Sequence, residues 1–222
     1  TISTMLSASV AVGEFISATA TKSNAAYSTF TDTSEFARSV VAVSSTQAVL
    51  TVDTASDASD GDTTSISTLL ANKGTDGSIS LREAITAANN SANGTSADRI
   101  TFSISGTGVH TINVGSALPS ITGAVILDAT TDDSFAANGS RPAIVLDGSG
   151  AGGGVDGLTL QSGASGSTVK GFSIVGFSNA LSIAGSNNTI QANYLGVNAT
   201  GSTAVANASG ISIIGGSGNL IG

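Results

Sequence analysis

Residues 157–222 repeat themselves, and that repetition limits the fold more than any other feature of the chain. Gly157-Leu158-Thr159-Leu160 returns as Ala180-Leu181-Ser182-Ile183 and again as Gly210-Ile211-Ser212-Ile213, at intervals of 23 and 30 residues. A second series, Ser167-Thr168-Val169, Asn188-Thr189-Ile190 and Asn219-Leu220-Ile221, recurs at 21 and 31. Two interleaved series of nearly equal period require one structural unit of about two dozen residues, stacked on copies of itself. The longer last interval reflects an insertion, 197–208, rich in Asn, Ala, Thr, Gly and Ser, a composition that belongs in a loop leaving the stack.

Within each patch the apolar side chains alternate: Leu158 and Leu160, Leu181 and Ile183, Ile211 and Ile213. Period two puts them on one face of a short strand. Clusters such as Gly163-Ala164-Ser165-Gly166-Ser167 and Gly185-Ser186-Asn187-Asn188 separate the patches, and these residues turn a chain readily. Short strands joined by tight turns at a fixed period describe a right-handed parallel β-helix, an all-β solenoid in which equivalent strands pair above and below. Such a stack packs Val, Ile, Leu and Ala in rows, so it tolerates a chain with seven Phe, two Tyr and no Trp. With 40% apolar residues, disorder is a poor alternative.

Fifteen acidic against seven basic residues give a net charge of −8, which argues against nucleic acid as a partner. No apolar run approaches the roughly 20 residues of a membrane span. Cysteine is absent, which removes disulfides and thiolate metal sites. A chain that begins at Thr1, with its single methionine at Met5, reads as a mature or trimmed product. The acidic, lysine-poor, Ser/Thr/Asn-rich composition fits a secreted or surface location. Six Asn-x-Ser/Thr triplets, beginning at Asn89, Asn93, Asn138, Asn187, Asn198 and Asn207, carry no glycosylation claim in a chain so rich in these residues.

Glycine marks the main boundary. Residues 1–60 hold only Gly13, and the other 27 glycines follow. Residues 1–49, with β-branched runs at 9–12 and 39–43, read as an N-terminal arm or cap. Residues 50–156 read as the first coils of the β-helix, and 157–222 as the repeated coils, continuing past Gly222. An acidic loop with Asp57, Asp60 and Asp62 precedes one helix near 81–89, where Leu81, Ala84, Ile85 and Ala88 share a face. Ser80 and Glu83 stand at capping-box spacing at its start. A lone amphipathic helix ahead of a solenoid fits a lid over the open end of its core, which gives Ser80, Arg82 and Glu83 structural roles. Strands follow at 99–104, 109–114, 124–127 and 143–146.

Ser80-Leu81-Arg82-Glu83-Ala84-Ile85, then Ala97-Asp98-Arg99-Ile100-Thr101-Phe102, Leu118-Pro119-Ser120-Ile121 and Ile144-Val145-Leu146-Asp147-Gly148 occur in order. Asn193-Tyr194-Leu195-Gly196-Val197-Asn198-Ala199-Thr200-Gly201 follows. This order, over about residues 50–222, resembles the Cys-Ser-Leu-Arg-Glu-Ala (CSLREA) class of bacterial β-helix domains. Ile79 stands where that class has its cysteine, so any role of the thiol is lost. The resemblance implies a β-helix in a large secreted or surface protein of adhesin or extracellular-matrix type. It implies fold and location more strongly than activity.

Catalysis by a glycan lyase, hydrolase or epimerase needs paired carboxylates, a Ca²⁺ cluster with a base, or a Tyr/His pair. All fifteen acids precede Gly157, and the repeats offer only Lys170, with no charged partner evident, and Tyr194. His110, the one histidine, reads as an outward-facing or hydrogen-bonded strand residue. Asp132-Asp133 read as an exposed turn, and Asp128 and Asp147 as strand-end turn formers. Asp57, Asp60 and Asp62 are hard-oxygen candidates for Ca²⁺, but they lack the EF-hand and nonapeptide patterns and read better as a solvated loop. The expectation is a non-catalytic structural or adhesion module with no cofactor. Its partners would be another copy, further coils of the same polypeptide, or surface glycans. A filament subunit using the arm and the open coil end, and a glycan-active enzyme, are the alternatives.

Overall fold

The computed structural model describes residues 47–222 and, ahead of them, four short strands: β1 (Phe15–Ile16), β2 (Thr21–Ser23), β3 (Phe30–Thr33) and β4 (Val40–Val41). The chain divides into two compact units, Thr1–Ser45 and Thr46–Gly222. In the first, β1 pairs antiparallel with β4, and β2 with β3. The β-branched run at 9–12 lies outside the described residues.

The second unit is built from strands in parallel sheets with few helices. After β5 (Val49–Val52) come helices α1 (Ile66–Ala71) and α2 (Leu81–Asn89), then β6 (Asp98–Phe102), β7 (His110–Asn113) and β8 (Val125–Asp128). A short helix α3 (Asp133–Ala137) precedes β9 (Ile144–Asp147), β10 (Leu158–Leu160), β11 (Thr168–Lys170), β12 (Phe172–Val175) and β13 (Asn179–Ile183). The last strands are β14 (Thr189–Gln191), β15 (Tyr194–Leu195), β16 (Ser209–Ile213) and β17 (Leu220–Ile221). They form three parallel sheets: β5-β6-β8-β11-β14-β17 (sheet I), β7-β9-β12-β15 (sheet II) and β10-β13-β16 (sheet III). From β8 onward the chain visits the three sheets in turn.

Register follows the repeats. Leu158 pairs with Leu181 and Leu181 with Ile211, while Val169 pairs with Leu127 and Ile190. Inward positions are therefore apolar from layer to layer: Ile100, Leu127, Val169 and Ile190 in sheet I, Ile144, Phe172 and Ile174 in sheet II. Residues from all three sheets share one core cluster, with Phe102 and Phe172 meeting edge to face at 5.3 Å. At roughly 1.5–3 kcal/mol for each fully buried Leu, Ile or Phe, these rows supply the driving force for strands too short to persist alone.

Polar side chains fix the corners. Where the chain enters sheet I, Asn219 Oδ1 accepts the amide of Asn188 at 2.9 Å, and Asn188 Oδ1 that of Ser167 at 2.8 Å. Ser167 Oγ accepts that of Val125 at 3.0 Å. A side-chain oxygen in each layer thus satisfies a backbone N–H of the layer before, where the ladder has no strand partner for it. Asn193 does the same at the next corner, accepting from Phe172 N and donating to Val169 O.

α2 packs its buried face, Leu81, Ala84, Ile85 and Ala87, against the start of sheet I, and α1, which the sequence reading missed, packs on α2 through Ile66 and Leu69. α1 is only six residues long, and its capping box uses Thr68 in place of the acidic residue that marks such a start. The 197–208 insertion does not leave the stack as expected. Ala199 is buried against Val145 and Val175, outward residues of sheet II. Asn138 donates to Ala199 O, Arg141 to Thr200 O and Ser173 to Val197 O, which straps the segment over that sheet.

The turn between β11 and β12 consists of Gly171 at φ +84°, where a Cβ would stand 2.6 Å from Thr130 Cγ2 and 2.8 Å from Thr130 N of the layer before. Gly171→Ala is expected to cost about 3 kcal/mol, from left-handed strain plus the backbone clash. Urea denaturation measures it, and a loss below about 0.5 kcal/mol would show that the two layers are not in this contact.

Candidate functional site

Among the described residues the Lys and Arg ion pairs fall in two places, the helical cap formed by α1 and α2 and the outer face of sheet I. In the cap, Ser80 is the N-cap of α2, and Glu83 receives Ser80 N at 2.9 Å on Oε2. Its Oε1 receives Asp60 N at 2.8 Å and Gly61 N at 2.7 Å, and Ser80 Oγ donates to Ala58 O. Glu83 is buried. One carboxylate therefore caps the helix and fastens the acidic loop to it. Arg82 forms a two-pronged pair with Asp57, Nε to Oδ1 at 3.0 Å and Nη2 to Oδ2 at 2.8 Å. It also donates to Ser116 O and Ala117 O, and Gly115 N reaches Asp57 Oδ2 at 3.0 Å. The planar fork of arginine suits this double recognition.

The three Ca²⁺ candidates are not brought together. Asp57 is taken by Arg82. Asp60 Oδ2 accepts from the hydroxyl and amide of Thr75, which hold its carboxyl below the ordinary value. Asp62 Oδ1 accepts from the hydroxyl and amide of Thr64, with the same effect. Among the described residues no group of three His, Cys, Asp or Glu is placed to hold a metal ion.

On sheet I the register aligns Thr101, Asp128 and Lys170 across β6, β8 and β11. Asp128 Oδ2 accepts from Arg99 Nη2 at 2.8 Å and Lys170 Nζ at 3.1 Å, while Oδ1 accepts from Thr130 Oγ1 at 2.6 Å. Lys170 thus has a charged partner one layer away, a correction to the sequence reading. It was hidden because a 42-residue separation becomes adjacency only through the register. Burial by itself would raise the Asp128 carboxyl, but hydrogen bonds from Thr130 and Lys170 and the charges of Lys170 and Arg99 bring it below its ordinary value.

Asp132 is buried, not an exposed turn as expected. Its Oδ2 accepts Ile104 N at 2.8 Å, and its Oδ1 accepts Ser134 N and Ser134 Oγ at the start of α3. His110 is not outward-facing either: its side chain is largely buried, and Nε2 lies 3.8 Å from Asp132 Oδ1 without a hydrogen bond. Ser134 donates to the carboxylate and not to the imidazole, so the trio lacks the nucleophile–base contact of a hydrolytic site. A cavity of about 10 Å³ between α2 and residues 121–125, lined by Ile85, Ala88 and Ile100, holds at most a water molecule. No helix of the described residues is long and apolar enough to cross a membrane. Comparison of the chain with protein-family models, curated proteins and solved structures finds no match.

Glu83→Ala leaves three backbone amides without their acceptor and is expected to destabilise the unit by about 3 kcal/mol, with Glu83→Gln closer to wild type. Equal losses for both, measured by chemical denaturation, would contradict the capping role. Asp128→Asn is expected to cost about 2 kcal/mol at neutral pH. The depressed carboxyl stabilises the fold above its ordinary 3.8, and that contribution fades as pH falls through and below this value. The difference between wild type and variant should therefore narrow in acid, and a gap independent of pH would refute the ion-pair assignment.

Proposed function

We propose that residues 46–222 form a right-handed parallel β-helix of the CSLREA type. In this reading it is a non-catalytic structural or adhesion module of an extracellular or cell-surface bacterial protein. The order in which the chain visits the three sheets supports the solenoid, and the strong right-handed preference of parallel crossovers supports its hand. One observation carries the functional reading. Four of the carboxylates that a glycan-active site could draw on are spent on construction: Asp57, Glu83, Asp128 and Asp132 each have both oxygens bonded within the fold. The described surface is rich in Ser, Thr and Asn, suited to adhesion through polar contacts such as those of surface glycans.

A second reading, end-to-end assembly into a filament, is favoured by the apolar side chains that β16 and β17 expose. There Ile213, which continues the row of Leu160 and Ile183, and Ile221, which continues that of Val169 and Ile190, are 52% and 46% exposed. Rows that are buried in every earlier layer are open at this end, beside unpaired strand edges.

Incubation with alginate, pectin and related uronates, with and without Ca²⁺, is expected to return each polymer unchanged, with measurable retention on immobilised polysaccharide. Chain scission or epimerisation would overturn the non-catalytic reading. Electron microscopy of the same material distinguishes filaments from single rods.

A further inference from the structure

Asp98 stands at the corner of sheet I where later layers use Ser167, Asn188 and Asn219. One residue ahead of the Arg99–Val49 pairing, its carboxylate lies by the amide of Ala48, whose N–H favours the charged form, in the place where those residues accept the amide of the layer before them. The other three oxygens belong to neutral groups; Asp98 is the acid in the series. It is 3% exposed, and its Oδ2 is buried without a hydrogen-bond partner. The contrast with Glu83, Asp128 and Asp132, each of which has donors on both oxygens, is complete.

The surroundings offer it no countercharge. Ala48 lies by it from the preceding layer, next to Gln47, which donates to Ala97 O at 2.8 Å; Asn93 takes its backbone amide at 3.1 Å, and Val125 pairs with it on β8. None of these titrates. Arg99, its neighbour in sequence, turns to the opposite face and is committed to Asp128. Among the described residues no Lys, Arg or His forms an ion pair with Asp98.

We propose that Asp98 is a pH-sensitive fastening for the first strand of the layered unit: as the neutral acid it holds the start of β5 at the corner, and on ionisation it loosens that segment. A neutral carboxyl fills the place of a Ser or Asn in the ladder, while a charged one leaves a buried, half-satisfied anion. Burial pushes the carboxyl above its ordinary 3.8, with the Ala48 amide opposing. An acid raised in the folded state makes the fold most stable when protonated, and this advantage is lost as pH rises from 3.8 through the folded value. Asp60, Asp62 and Asp128 are shifted the other way, so their contributions change below 3.8 and do not mask it.

Hydrogen exchange of the full chain, corrected for intrinsic rates, reads the effect directly. Between about pH 4.5 and pH 7.5, protection of residues 47–52 in wild type is expected to fall roughly fivefold relative to Asp98→Asn. Parallel behaviour of the two proteins would overturn the proposal. Should Asp98→Asn fail to fold, the carbon-13 carboxyl titration of Asp98 in the unaltered chain decides: a midpoint above 3.8 is expected, and one at or below it refutes the fastening.

Discussion

The Thr46–Gly222 unit depends on equivalent short strands lying directly over one another in parallel register. Strands of two to five residues have little stability of their own, and each layer buries its Leu, Ile or Val only because another layer lies beyond it. Backbone pairing alone would leave the corners unsatisfied, since amides that enter a strand from a turn have no ladder partner. Ser167, Asn188, Asn193 and Asn219 close that gap from the neighbouring layer. The same contacts explain why the repeats can be nearly devoid of charge: each junction needs an oxygen and an amide, and Ser and Asn provide them without desolvating an ion.

Charge gathers where the repeat is interrupted. The helical cap has to join a non-repeating segment to the first layers, and it does so with carboxylates that collect several donors at once. Glu83 ties the helix start to Asp60 and Gly61, and Asp57 ties Arg82 to Gly115. Asp128 links three strands of sheet I through Arg99, Lys170 and its own turn. A carboxylate with donors on both oxygens is a poor acid–base catalyst and a good rivet. Asp98, which lacks them, is set apart by that deficit and not by exposure.

The stacked strands were legible in the sequence because their signal is periodic. Leu158, Leu181 and Ile211 recur at intervals that became direct pairings, and the Ser80–Glu83 spacing corresponds to a capped helix start. Contacts between residues far apart in sequence were not legible. Lys170 and Asp128 meet only once Leu127 is set against Val169, and Arg82 meets Asp57 across the loop that Glu83 folds. The 197–208 segment has a loop composition throughout, and nothing in it signals that Ala199 packs against Val145 and Val175. Asp132 was misread for a similar reason. A pair of aspartates before a short helix looks like a solvated turn until Ile104 N and Ser134 are brought to it.

The register is tested most directly by cross-linking in a chain that has no cysteine of its own. Thr168 and Thr189 are paired neighbours on the outer face of adjacent strands in sheet I, while Gln191 lies two residues farther along the second strand. Stacked Cα atoms about 5 Å apart fall within disulfide reach, whereas a diagonal of about 8 Å does not. Mild oxidation of the Thr168→Cys/Thr189→Cys variant should give a near-quantitative intramolecular disulfide, and the Thr168→Cys/Gln191→Cys variant should stay reduced. Efficient closure of the second pair and not the first would contradict the stacking on which the whole account rests.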